Sequence, residues 1–166
     1  MLTISANIAV SALWFVALAA NATVTDGVFR DGKGNSVSEA AVNAMSPENA
    51  LAKGYQVAMT LDSAESVTCF LVFSKVASAS ISRKDYKNAI VYDEYARTAN
   101  YVVGVGKSRG LPSQAIDNLL QAGAKQVGYM SGAELAAKLE RCFHNHDVIY
   151  PLLLRAGKVE SKIGAK

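Results

Sequence analysis

One stretch of the chain limits the fold more than any other. Val67, Cys69, Phe70, Leu71, Val72, Phe73 and Val76 would cover a helix with apolar groups on nearly every side. A helix without a polar face is stable only when other elements surround it. This segment is therefore expected to be the hub of the core, capped at its start by Asp62 or Ser63. Thr68 to Phe73 also has the composition of a strand, but its Ala-rich and Ser-rich flanks offer no hairpin partner. The segment is accordingly read as helix.

The flanking segments supply further helices. Ser46-Pro47 pairs an N-cap residue with proline at the first helical position, and that helix is expected to run to about Thr60. Ser82 and Asp85 have capping-box spacing. Ala89, Tyr92, Ala96, Ala99 and Val103 come next at steps of 3, 4, 3 and 4, a packing stripe of small and aromatic residues. Gly104, Gly106 and Gly110 are expected to end that helix. Pro112 opens another, with Ile116, Leu119, Leu120, Gly123, Val127 and Met130 on one side. Ser131 and Glu134 repeat the capping spacing before a stripe of Leu135, Leu139, Cys142, Phe143 and His146. Pro151 must kink or restart the helix near Asp147. Val148, Ile149, Leu152 and Leu153 then form a last packed turn. Five or six helices without β–α alternation predict an all-α compact bundle over residues 47–157.

Residues 23–46 are the least core-like. Asp31-Gly32-Lys33-Gly34-Asn35 is a dense turn signal between Val28-Phe29 and Val37, so a loop or hairpin arm is expected. Ser36 and Glu39 have capping-box spacing and predict a short helix through Ala40-Ala41-Val42. Residues 158–166 read as a basic tail. Arg155 to Lys166 holds four bases and one acid, which accounts for the whole net charge of +3. Such a tail is expected to fray and to keep the chain soluble, not to bind nucleic acid.

The start of the chain has a different character. No side chain before Asp26 is ionisable, and Ile8 to Ala20 is a 13-residue apolar run broken only by Ser11. That is the size of a signal-peptide core and shorter than a membrane-spanning helix. Ala20-Asn21-Ala22 supplies the small-residue cleavage pattern. Residues 1–22 are thus expected to be a cleaved signal peptide, with no membrane span left afterwards. The mature chain is expected in a bacterial periplasm or outside the cell. An exported chain with two cysteines has one intramolecular pairing open to it, Cys69 with Cys142, 73 positions apart. If formed, it brings Phe70, Phe73, Leu139 and Phe143 together around it.

Motifs with chemical promise are mostly refused. Gly104-Val105-Gly106-Lys107-Ser108 ends like a phosphate-binding loop, but the glycine such a loop needs five places before Gly106 is Tyr101. The Asp31 loop is not a calcium hand, because its sixth position is Ser36 and its twelfth is Val42. Cys142 and His146 share a helical face and could begin a metal site, completed by Cys69 and Asp147 only if the disulfide were absent. His144 and His146 are the only histidines, and no serine sits in a nucleophile elbow. Asp93 and Glu94 are adjacent, so on a helix they point about 100° apart and cannot act as a facing acid–base pair. No catalytic residues, cofactor or metal are therefore expected, and the chain is not read as an enzyme. Tyr86, Tyr92, Tyr95 and Tyr101 are candidates for a partner-facing surface.

Cys69 in an apolar helix and Cys142 before Phe143, over Ser46 to Gly157, resemble the small secreted all-helical proteins of Gram-negative bacteria whose function is unknown. Some periplasmic immunity proteins, which inhibit toxins delivered by neighbouring cells, are similar in size and build. The resemblance implies no activity; a good core, an export signal and the lack of a reactive constellation are what point to a non-catalytic binding module with a protein or envelope partner. The alternatives are an immunity-type inhibitor of a secreted enzyme, and a small-ligand or metal binder near His146.

Overall fold

The computed structural model describes residues 27–164. The expected signal peptide and its cleavage site lie outside the described residues. The described chain is an all-α fold preceded by one small hairpin. Its elements are β1 (Val28–Arg30), β2 (Ser36–Ser38), α1 (Glu39–Ala44), α2 (Pro47–Ala58), α3 (Ser63–Ser82), α4 (Tyr86–Ser108), α5 (Ser113–Tyr129), α6 (Gly132–His146) and α7 (Ile149–Arg155).

α3 is the hub. Asp62 caps it by accepting from the Ala64 and Glu65 amides, at 2.8 and 3.2 Å. By length and composition α3 would suit a membrane, but α4, α5 and α6 all pack on it. The first core gathers Cys69, Val72, Phe73 and Val76 of α3 with Tyr92, Tyr95, Ala96 and Ala99 of α4, Val127 of α5, and Leu139, Cys142 and Phe143 of α6. α4 is long enough to reach a second core. There Val102 and Val105 meet Val57 of α2, Val37 of β2, Val42 of α1, and Ile149, Leu152 and Leu153 of α7. Tyr150 packs against both.

The capping signals are realised unevenly. Ser46 accepts from Asn49 N with Pro47 beginning α2. Ser131 and Glu134 make the full reciprocal box at the start of α6. The other two boxes do not form. The short helix α1 starts from Ser38, whose side chain accepts from Ala41 N, while Ser36 is paired to Arg30 in the hairpin. α4 starts from Asp85, because Ser82 is still the last residue of α3. In both places a neighbouring element claims the serine that the spacing offered.

α4 also outlasts its expected end. Gly104 and Gly106 lie inside it, and the chain leaves the helical conformation only at Gly110, with φ +99°. Gly106 is small because Ser63 at the start of α3 rests on it: a Cβ there would collide with the Ser63 side chain. The chain breaks after His146, and Pro151 lies in the first turn of α7, where its missing N–H costs no helical bond.

The tail expected to fray is held. Val159 is 1% exposed in the second core. The Ser161 hydroxyl donates to Asp93 Oδ2 at 2.7 Å, and its amide to Glu94 Oε1 at 3.3 Å.

Candidate functional site

Cys69 and Cys142 face each other at disulfide-bonding distance, their Cα atoms 5.3 Å apart. They pin the second turn of α3 to the last turns of α6. Phe73, Leu139 and Phe143 are buried around them and Phe70 is partly so. The Phe143 ring stands edge-on to Phe73 at 5.1 Å and to Tyr95 at 4.6 Å.

This pairing forces a second one. α3 and α6 run antiparallel here, so one turn before Cys69 must meet one turn after Cys142. Ser66 and His146 do meet there: Ser66 Oγ lies 3.2 Å from His146 Nε2. The other ring nitrogen, Nδ1, is 2.8 Å from the Cys142 carbonyl oxygen, which can only accept. Both side chains are almost wholly buried. Burial favours the neutral ring and pulls its pKa down, against smaller opposing effects of the Cys142 carbonyl, Glu65 and Asp31. Ser66 was legible in principle from the three-residue step to Cys69 matched by the four-residue step from Cys142 to His146.

Around this pair stands a ring of charge. Glu65 Oε1 is 2.7 Å from Arg141 Nε and 3.6 Å from Lys138 Nζ. The Arg141 contact is short but badly aligned for a hydrogen bond, so charge holds this oxygen. Across the opening lies the β1–β2 loop. Asp31 accepts from the amides of Lys33 and Asn35 and from Asn35 Nδ2, which fixes the turn. Asn35 Nδ2 also donates to Thr60 Oγ1 at 2.9 Å, tying the loop to the end of α2.

The first amides of α3 are taken by Asp62, and Ser66 is 2% exposed, so neither nucleophile nor oxyanion donors face a substrate. Cys142 Sγ faces Cys69, and Asp147 Oδ1 accepts from Tyr95 at 2.9 Å. Among the described residues no three His, Cys, Asp or Glu side chains converge on one point.

Asp93 and Glu94 are not gathered with the histidines. Glu94 Oε2 accepts from Tyr150 at 2.7 Å, Asp93 pairs with Arg97 at 2.9 Å, and both hold Ser161. Of the four candidate tyrosines, Tyr92 and Tyr95 are core residues at 1% and 9% exposure, Tyr101 is half-buried, and Tyr86 is exposed. Burial, with nearby carboxylates, raises the Tyr95 and Tyr150 hydroxyls well above their usual range and Tyr92 to about 12. Ser108 ends α4 by donating to Val105 O, so the glycine–lysine–serine run is helix and not a phosphate loop.

The outstanding surface feature has no mark in the sequence. Tyr129, at the end of α5, is 90% exposed. It stands at a cleft of about 580 Å³ between α5 and α6, with Gln126, Met130, Glu134, Lys138 and Arg141 in its walls. The apolar stripe of Ile116, Leu119, Leu120, Gly123, Val127 and Met130 passes Tyr129 by, so nothing in the periodicity singles it out. Compared with known proteins, the chain matches no family model, no curated protein and no solved structure.

Proposed function

We propose that this chain is a non-catalytic, disulfide-stabilised helical binding module that works in the periplasm or outside the cell. The observation that carries the reading is Tyr129. A tyrosine this exposed, beside Met130 and flanked by Lys138 and Arg141, is the kind of group that contributes most to protein interfaces. The groups with reactive potential point inward and are spent on one another, which supports binding over chemistry. The Cys69–Cys142 pair supports an oxidising compartment. The partner is proposed to be a protein or other envelope component that meets the α5–α6 cleft.

A photo-crosslinking side chain placed at position 129, and separately at the exposed Lys107, tests this in cells that produce the full chain. A discrete adduct from position 129 that is absent from position 107 is expected. Equal, diffuse labelling from both positions would overturn the reading.

A further inference from the structure

The hairpin loop covers a buried histidine, and that placement has a consequence of its own. Gly32 lies against the end of α6: a Cβ there would be 3.3 Å from Asn145 Oδ1 and 3.4 Å from the His144 ring. Beneath it is a void of about 10 Å³, room for about one water molecule. Lys33 lines it from the loop, Asp62, Glu65 and Ser66 from α3, and Asn145 and His146 from α6.

His146 Nδ1 donates to the Cys142 carbonyl in either charge state. In the neutral ring Nε2 accepts, and the single proton of the Ser66 hydroxyl serves it. In the imidazolium Nε2 donates instead, and Ser66 can turn its proton to the Asp62 carbonyl, 2.9 Å away. A proton can therefore enter without breaking the geometry. Glu65 and Asp31 favour the charged ring, but burial outweighs them. Glu65 is committed to Arg141 and Lys138, Asp31 to its own turn, the Asp62 carboxylate to the start of α3, and Asp147 to Tyr95. His144 lies on the outer side, against Gly32. The Phe73 ring, edge-on at 6.2 Å, closes the inner side. Lys33 lines the same void from the loop, and an imidazolium buried there lacks the hydration it would have in water. Residues 31–35 belong to neither core. Lifting them breaks the Asn35–Thr60 hydrogen bond but moves no core residue, and it brings water to the ring.

We propose that residues 31–35 are a pH-gated lid: protonation of His146 releases them from the end of α6 and opens the Ser66–His146 cleft to solvent. Burial holds the ring below the usual imidazole range, so the lid is closed at neutral pH and opens on acidification.

The test tracks the His146 ring and the Lys33 and Asn35 amides of the full chain by NMR from neutral to acid pH, with amide exchange corrected for its intrinsic pH dependence. Loss of loop protection is expected to share the midpoint of the His146 titration. His146→Gln should abolish the step and His144→Gln should keep it. Ser66→Ala, which folds with little change in packing, removes the acceptor that the charged ring needs. It should move both midpoints down together, by about half a unit. Loop protection that stays constant through the His146 titration overturns the proposal. So does a loop step that survives in His146→Gln, or one that stays in place while Ser66→Ala shifts the ring.

Discussion

Two glycines of α4 set opposite demands on the same helix. Gly104 has open space around its missing Cβ, whereas Gly106 is pressed by Ser63. Gly104→Ala should therefore stabilise the fold by about 0.5–1 kcal/mol through helix propensity alone. Gly106→Ala gains the same propensity but must displace the start of α3, a cost of about 1–3 kcal/mol, and should be destabilising overall. Urea denaturation of both variants checks the contrast, and equal shifts would mean that α3 and α4 do not touch there. The buried tyrosines make a second residue-scale demand. Tyr92, Tyr95 and Tyr150 are held protonated in the folded chain. In the unfolded chain they ionise at about 10. The stability this provides is present in full below that pH and is lost as the pH rises through it toward the higher folded values. Alkaline unfolding should accordingly be steep above about pH 10, and Tyr95→Phe should flatten it. The same variant should cost about 1–3 kcal/mol at neutral pH, because the buried Asp147 Oδ1 loses the Tyr95 hydroxyl as a donor. Stability measured against pH for both proteins reads both effects.

At the scale of elements, the least expected contact is the clamp of α4 on the C-terminal tail. Ending the chain after Gly157 removes Val159 from the second core and leaves Asp93 and Glu94 without Ser161. A loss of about 2–4 kcal/mol is expected, with helix content by circular dichroism nearly unchanged. Full stability in the shortened chain would show that the clamp is ornamental. The helices themselves were legible, because caps, prolines and apolar stripes are local signals. Ser46-Pro47, Asp62, the Ser131–Glu134 box and the Ala89–Val103 stripe all act within a few residues. The failures come where distant partners decide. Gly106 reads as a helix stop until Ser63 is placed on it. Asp93 and Glu94 read only as an adjacent acidic pair that cannot work together until Ser161, 68 and 67 positions away, returns to them. Ser66 and His146, 80 positions apart, are joined only once the cysteines fix the register.

For the whole molecule, the Cys69–Cys142 pair decides how far the two cores depend on each other. Reduction should lower stability by about 2–5 kcal/mol without erasing the helices, since the apolar stripes remain. Denaturation with and without reductant measures this, and thiol titration of the unfolded, unreduced chain gives the pairing directly: two free thiols would refute it. The disulfide joins α3 to α6 in the first core, whereas α1, α2 and α7 of the second lie outside the closed segment. This partition has a mechanical meaning. A chain pulled from its two ends can extend only the segments before Cys69 and after Cys142. The 73-position span between the cysteines withholds roughly 250 Å of contour length. Any machine that threads polypeptide as a single strand would stall at the crosslink, with the hub helix still unextended. An oxidised chain in the cell envelope would thus resist being drawn through a narrow pore.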